Sequence, residues 1–161
     1  MTHTLPLWPF AILAGLVALG YRQSQERIVK PATLARVAAV MLSLSLYGVM
    51  ASFGASPLPV LAWAVGFGGA LLLGGALFAP RQLAREGSAV RLPGSWLPLG
   101  LMLGIFMAKF ALGFATGIGA PFVHQAWFVA LMSAAFGLFS GAFAARAMAV
   151  HRFVRATPAL A

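Results

Sequence analysis

The stretch that decides the fold is residues 97–116, which read LPLGLMLGIFMAKFALGFAT. This run has the length of about 20 residues that an α-helix needs to cross the hydrocarbon core of a bilayer. Further apolar runs of similar length lie at residues 5–21, 33–53, 59–78 and 123–145. We therefore predict an all-α integral membrane bundle of about five transmembrane helices, in which residues 1–161 form a single domain.

The composition agrees with a membrane protein. Hydrophobic residues make up 61% of the 161 residues and charged residues only 8%, whereas an ordinary soluble domain has roughly a quarter charged residues. Five spans of about 20 residues leave about 60 residues for connections and tails. That remainder is too small for a separate soluble domain.

The basic residues predict the orientation of the bundle. The chain has a formal net charge of +9, and its basic side chains cluster at the ends of apolar runs. If alternate loops face the cytoplasm, all of the clustered residues lie on the cytoplasmic side, as the positive-inside rule requires. The N-terminus is then outside and the C-terminus inside. The clustered residues are Arg22, Arg27, Lys30, Arg36, Arg81, Arg85, Arg91, Arg146, Arg152 and Arg155.

The first seven of these cations have two interpretations. They either bind anionic lipid head groups or only set the topology. We expect no nucleic-acid partner, because the charges lack the aromatic platforms and the continuous basic face of such proteins.

The two predicted cytoplasmic loops resemble each other. Each ends in a proline two residues before a hydroxyl residue, Pro31 before Thr33 and Pro93 before Ser95, and these hydroxyls could cap the next helix. The likeness fits either a parallel repeat of two helical hairpins or a shared set of topogenic and capping rules. Trp8, Trp63, Trp96 and Trp127 fall near predicted helix starts, which is typical of an interfacial belt.

Lys109 is the exception among the basic residues, because it lies inside an apolar run. A lysine at the centre of a membrane helix costs about 2.5–3.5 kcal/mol on insertion scales, so it is a candidate functional residue. Tyr47 and Lys109 each follow a predicted cap by the same number of residues, and we therefore expect them at one depth and in contact. The alternatives for Lys109 are snorkelling to the outer interface, contact with an anion, lipid or partner, and proton transfer.

Small residues recur at four-residue spacing in the later helices, where they allow close helix packing in lipid. The interface could lie within one chain or in a homodimer. The glycines concerned are Gly100, Gly104, Gly113, Gly117, Gly137 and Gly141.

Catalytic and metal chemistry find little support in the sequence. There is no cysteine, and the two acidic residues, Glu26 and Glu86, fall in predicted loops. Ser140 lies in a GLFSG run, but no histidine is near enough along the chain to act as its base. We expect no catalytic residue, no metal site and no cofactor.

The run LPGSWLPL at residues 92–99, followed by Lys109, Phe110 and Gly113, resembles a family of small bacterial inner-membrane proteins that is known only as a domain of unknown function. The Arg22-Gln23 turn and LSLYGV at residues 44–49 are similar to other segments of that family. The resemblance implies a multi-pass protein of the bacterial inner membrane. It implies no activity, cofactor or partner.

We therefore predict a non-enzymatic membrane protein that binds a lipid, a small anion or a protein partner around Lys109. The alternative is a small transporter that works as a dimer, because five helices alone make a thin wall around a pathway. A weaker alternative is an enzyme acting on lipid head groups, with Arg81, Arg85 and Arg91 holding phosphate.

Overall fold

The computed structural model describes residues 8–80 and 82–157. Within these residues the chain forms α-helices and a small sheet. The helices are α1 (Trp8–Ser24), α2 (Pro31–Phe53), α3 (Pro57–Leu77), α4 (Leu97–Gly117) and α5 (Ala126–Ala156).

The helices α2, α3, α4 and α5 are long and apolar enough to cross a membrane. The predicted helical bundle of a membrane protein is confirmed at this level. The helix α1 has 17 residues and is shorter than these four.

The first and last helices differ from their predicted bounds. Described structure begins at Trp8, so the predicted start at residue 5 lies outside the described residues. The helix α5 continues to Ala156 instead of ending at 145, and it starts at Ala126 because a short 3-10 helix, Pro121–His124, precedes it.

The predicted all-α class needs a correction, because the two predicted cytoplasmic loops, between α1 and α2 and between α3 and α4, contain strands. They are β1 (Arg27–Val29), β2 (Ala84–Glu86) and β3 (Ala89–Leu92), and they form one antiparallel sheet in the order β1-β3-β2. The loop from residue 22 to 32 therefore pairs with the loop from 79 to 96. Both connections lie at one end of the bundle, as the alternating topology expects.

The end of α5 supports this sheet. Val150 is fully buried against Val90 and Leu92 of β3, with Phe153 packed beside them. We call this end of the molecule the sheet end. The opposite end, where α2 turns into α3 and α4 turns into α5, is the turn end.

The predicted helix caps differ from each other. Thr33 is not a cap, because α2 begins at Pro31 and Lys30 is the capping position without a side-chain hydrogen bond. At α4, Trp96 is the capping position, and the Ser95 hydroxyl oxygen accepts a 3.3 Å hydrogen bond from the Leu97 amide.

The helix α5 is the centre of the bundle. It packs most extensively against α3 and then against α2, whereas α4 packs mainly against α1. A cluster of buried side chains around Phe136 joins α2, α3, α4 and α5 in the half of the bundle nearer the turn end.

Candidate functional site

Lys109 lies on α4, about 18 Å along the helix axis from Leu97. Its side chain is exposed on the surface of the bundle and reaches across to two other helices. The Nζ atom lies 4.6 Å from the centre of the Phe136 ring on α5. The same atom lies against Gly48 on α2.

Gly48 makes room for this ammonium group. A Cβ atom at Gly48 would lie 2.5 Å from Lys109 Nζ, so any larger residue would displace the lysine. Phe136 is only 2% exposed, and its ring gives the cation a buried aromatic face. We call Lys109, Gly48 and Phe136 the lysine seat.

The structure does not join Lys109 to Tyr47. Tyr47 is 72% exposed, and among the described residues no hydrogen bond links its hydroxyl group to Lys109. The reason is helical geometry, since adjacent residues on a helix point about 100° apart, and here the neighbour of Tyr47 faces α4. Counting from the helix starts gave the depth but not the facing residue.

The backbone carbonyl group of Phe136 accepts hydrogen bonds that connect three helices. The indole Nε1 of Trp63 donates to the Ser45 hydroxyl at 3.0 Å, and Ser45 donates to the Phe136 carbonyl oxygen at 2.9 Å. Ser140 donates to the same carbonyl at 3.0 Å. These hydrogen bonds therefore link α3, α2 and α5 beneath the lysine seat.

The interfacial interpretation is wrong for Trp63. Its side chain is 8% exposed and stacks on Phe67 with ring centres 5.2 Å apart. Trp96 and Trp127 are exposed, as belt residues would be. The sequence had no feature that distinguished Trp63 from them.

Two of the predicted glycines pack α5 closely onto α3. A Cβ atom at Gly137 would overlap the carbonyl oxygen of Trp63, and one at Gly141 would lie 2.7 Å from the carbonyl oxygen of Phe67. A Cβ atom at Gly104 of α4 would lie 2.8 Å from the Phe139 ring of α5. Close backbone approach is the packing mode that small residues allow in membranes.

The remaining predicted glycines do not pack within the chain. A Cβ atom at Gly100, Gly113 or Gly117 would meet nothing within 4 Å. All three are exposed on α4. The four-residue spacing alone does not distinguish a filled interface from an open helix face.

The predicted head-group cations gather at the sheet end, although their contacts differ. Arg91 Nε donates to Glu86 at 2.6 Å, and its Nη1 atom lies 3.3 Å from Glu26. The hydrogen bond from Arg91 to Glu86 raises the pKa of the Arg91 guanidinium. Arg85 donates to the carbonyl oxygens of Val154 and Thr157, which ties it to the end of α5.

The other predicted cations of this group are placed as follows. Arg27 is partly buried, and burial lowers its pKa. Arg81 lies outside the described residues. The exposed ones are Arg22, Lys30 and Arg36.

A cavity of about 310 Å³ lies at the turn end, between the α2–α3 turn and the start of α5. Ser52, Ser56 and His124 provide its polar lining. Across the described residues, no three His, Cys, Asp or Glu side chains come together in a way that could hold a metal ion.

Residues 1–159 match the model of a family of unknown function, DUF6622. The chain belongs to this family. The match covers nearly the whole length of this DUF6622 protein and confirms that it belongs to an uncharacterised family. No curated protein and no solved structure matches it.

Proposed function

We propose that this protein is an integral protein of a bacterial inner membrane that binds an anionic group at the lysine seat. The group would come from a lipid, a small anion or an acidic residue of a membrane partner. The observation that carries the proposal is an exposed lysine held within the spanning part of α4 by Phe136 and Gly48. We place the N-terminus outside and the sheet end in the cytoplasm, in accord with the basic residues there.

The energetics of the lysine favour an outside partner. A cation above a desolvated aromatic ring gains about 2 kcal/mol, which offsets part of the cost of about 2.5–3.5 kcal/mol for a central lysine. The chain has only two acidic side chains, and both contact Arg91 at the sheet end. An anion from outside the chain would supply the missing counter-charge.

The exposed position of Tyr47 fits the same proposal. Tyr47 lies next to Gly48 on α2, and its hydroxyl group is available to a bound molecule. A phenol and an ammonium group at one depth would give an anion a hydrogen-bond donor beside a charge.

Native mass spectrometry of the protein purified in mild detergent tests this proposal. We expect a bound molecule or partner chain on the wild type that is retained by Lys109→Arg and lost from Lys109→Met. Gly48→Ala should also weaken retention, because the added methyl group displaces the ammonium, and Gly68→Ala on α3 is its control since a Cβ there meets nothing within 4 Å. Spectra that show only the unliganded single chain for both the wild type and Lys109→Met would contradict the proposal.

A dimeric transporter is the second candidate. The open face of α4 at Gly100, Gly113 and Gly117 favours it, because small residues with no neighbour in the chain could meet a second copy. We then expect a dimer in detergent that Gly113→Leu dissociates, and solute flux in liposomes that depends on Lys109. A wild-type monomer without flux would contradict this alternative.

A further inference from the structure

The depth of the lysine seat decides which anions can reach it. The helix α4 has 21 residues, and Lys109 lies about 3 Å beyond its middle residue, Met107. Phe136 lies about 15 Å after the start of α5, and Gly48 lies about 8 Å before the end of α2. In a bilayer that these helices span, the ammonium group therefore lies within the hydrocarbon, away from the lipid phosphates.

Lys109 lies at one end of an open face of α4. Its side chain is exposed, and Gly113 and Gly117 follow it at four-residue spacing, so the three residues lie along one side of the helix. A Cβ atom at either glycine would meet nothing within 4 Å. Small residues without a neighbour let a second helix approach the backbone closely, which is how helices associate in lipid. A helix lying on this face would pass beside the ammonium group.

The chain itself offers no carboxylate at this depth. Glu26 and Glu86 are its only acidic residues, and both contact Arg91 at the sheet end. A second copy carries the same two carboxylates at its own sheet end, and parallel packing on this face would bring two Lys109 side chains together. A small anion would have to lose its hydration shell to enter the hydrocarbon. The counter-charge that fits this depth is a carboxylate that another protein carries into the membrane.

We infer that the face of α4 formed by Lys109, Gly113 and Gly117 binds a transmembrane helix of another protein, and that this helix carries an aspartate or glutamate near the middle of the bilayer. The inference rests on the proposed function, in which the lysine seat binds an anionic group. An acidic side chain in the middle of a membrane helix costs free energy, as Lys109 does, and pairing stabilises both. The charge selects the partner helix, and the glycines allow its close approach.

Binding of synthetic transmembrane peptides to the full chain in liposomes tests the inference. One leucine–alanine peptide carries glutamate at its central position, which places the carboxylate near the depth of Lys109 in either orientation, and the matched peptide carries glutamine there. Resonance energy transfer from the labelled peptide to the chain labelled at Ser88→Cys reports binding, since the chain has no other cysteine. We expect the glutamate peptide to bind about tenfold more tightly than the glutamine peptide.

Variants of the chain assign this preference to the proposed face. The preference for glutamate should disappear in Lys109→Met and persist in Lys109→Arg, because only the first variant loses the charge. Gly113→Leu should weaken binding of the glutamate peptide about tenfold by preventing close approach of the helices. Gly100→Leu is the matched control, since Gly100 is also open but lies about two and a half turns before Lys109, on the opposite side of α4.

Equal binding of the two peptides to the wild type would overturn the inference. If native mass spectrometry then still finds a lipid mass that depends on Lys109, the proposed anion binding stands with a lipid as its source. If it finds no such mass, the proposed function fails as well. Self-association of the chain that Gly113→Leu abolishes and the glutamate peptide does not displace would also overturn the inference, in favour of a second copy on this face.

Discussion

Glycines that belong to the same four-residue pattern of small residues differ in what surrounds them in the structure. Gly137 of α5 lies against the backbone of α3, and Gly100 of α4 faces open space. We expect Gly137→Ala to lower the free energy of unfolding by about 1–3 kcal/mol, because the added methyl group overpacks a rigid backbone contact. Gly100→Ala should be neutral or stabilising by about 0.5–1 kcal/mol. Melting temperatures in one detergent compare the two, and equal melting temperatures would contradict the α3–α5 contact.

The Ser45 hydroxyl links three helices through single hydrogen bonds. Ser45→Ala should lower the free energy of unfolding by about 1–3 kcal/mol, since the buried Trp63 indole loses its acceptor. Ser133 is the control, because its buried hydroxyl has no hydrogen-bond partner in the part of the chain that the structure describes, and Ser133→Ala should be neutral or stabilising. In thermal melts, the loss from the double variant Ser45→Ala, Trp63→Phe should be smaller than the sum of the losses from the two single variants, because the two side chains share one hydrogen bond. A larger loss from Ser133→Ala than from Ser45→Ala would contradict this network.

Among the secondary-structure elements, the helices were predicted well from the long apolar runs, whereas the short strands were not predicted. The starts and ends of α2, α3 and α4 fall within two residues of their predicted positions, because a membrane span requires a continuous apolar length. The strands have only three or four residues and stand among charged ones. Their pairing depends on two loops that only the folded bundle brings together.

The extension of α5 beyond residue 145 carries a prediction. The predicted last helix ended at residue 145 and left Arg152 and Arg155 in the cytoplasmic tail, but α5 continues to Ala156 and Val150 is fully buried against β3. Val150→Ala should lower the free energy of unfolding by about 1–3 kcal/mol through the cavity it leaves. Hydrogen exchange of the β3 amides should speed up, whereas the exposed Met148→Ala should leave it unchanged. Unchanged exchange in Val150→Ala would mean that α5 does not support the sheet.

At the scale of the whole molecule, the sequence indicated Lys109 but not the residues around it. A single cation in an apolar run is evident from the sequence alone, because its position in the run is enough to indicate a charge within the membrane. Gly48 and Phe136 belong to two other helices, and their approach depends on the packing of α5 between α2 and α3.

We expect the sheet end of the membrane bundle to lie in the cytoplasm and Lys109 to lie within the hydrocarbon. The chain has no cysteine, so single-cysteine variants at Ser56, Lys109 and Ser88 can be labelled with a membrane-impermeant maleimide in intact cells and in inverted membrane vesicles. We predict that Ser56→Cys reacts only in cells, Ser88→Cys reacts only in inverted vesicles, and Lys109→Cys reacts in neither until the protein is denatured. Labelling of Ser56→Cys and Ser88→Cys from the same side, or of Lys109→Cys from either side, would contradict this topology.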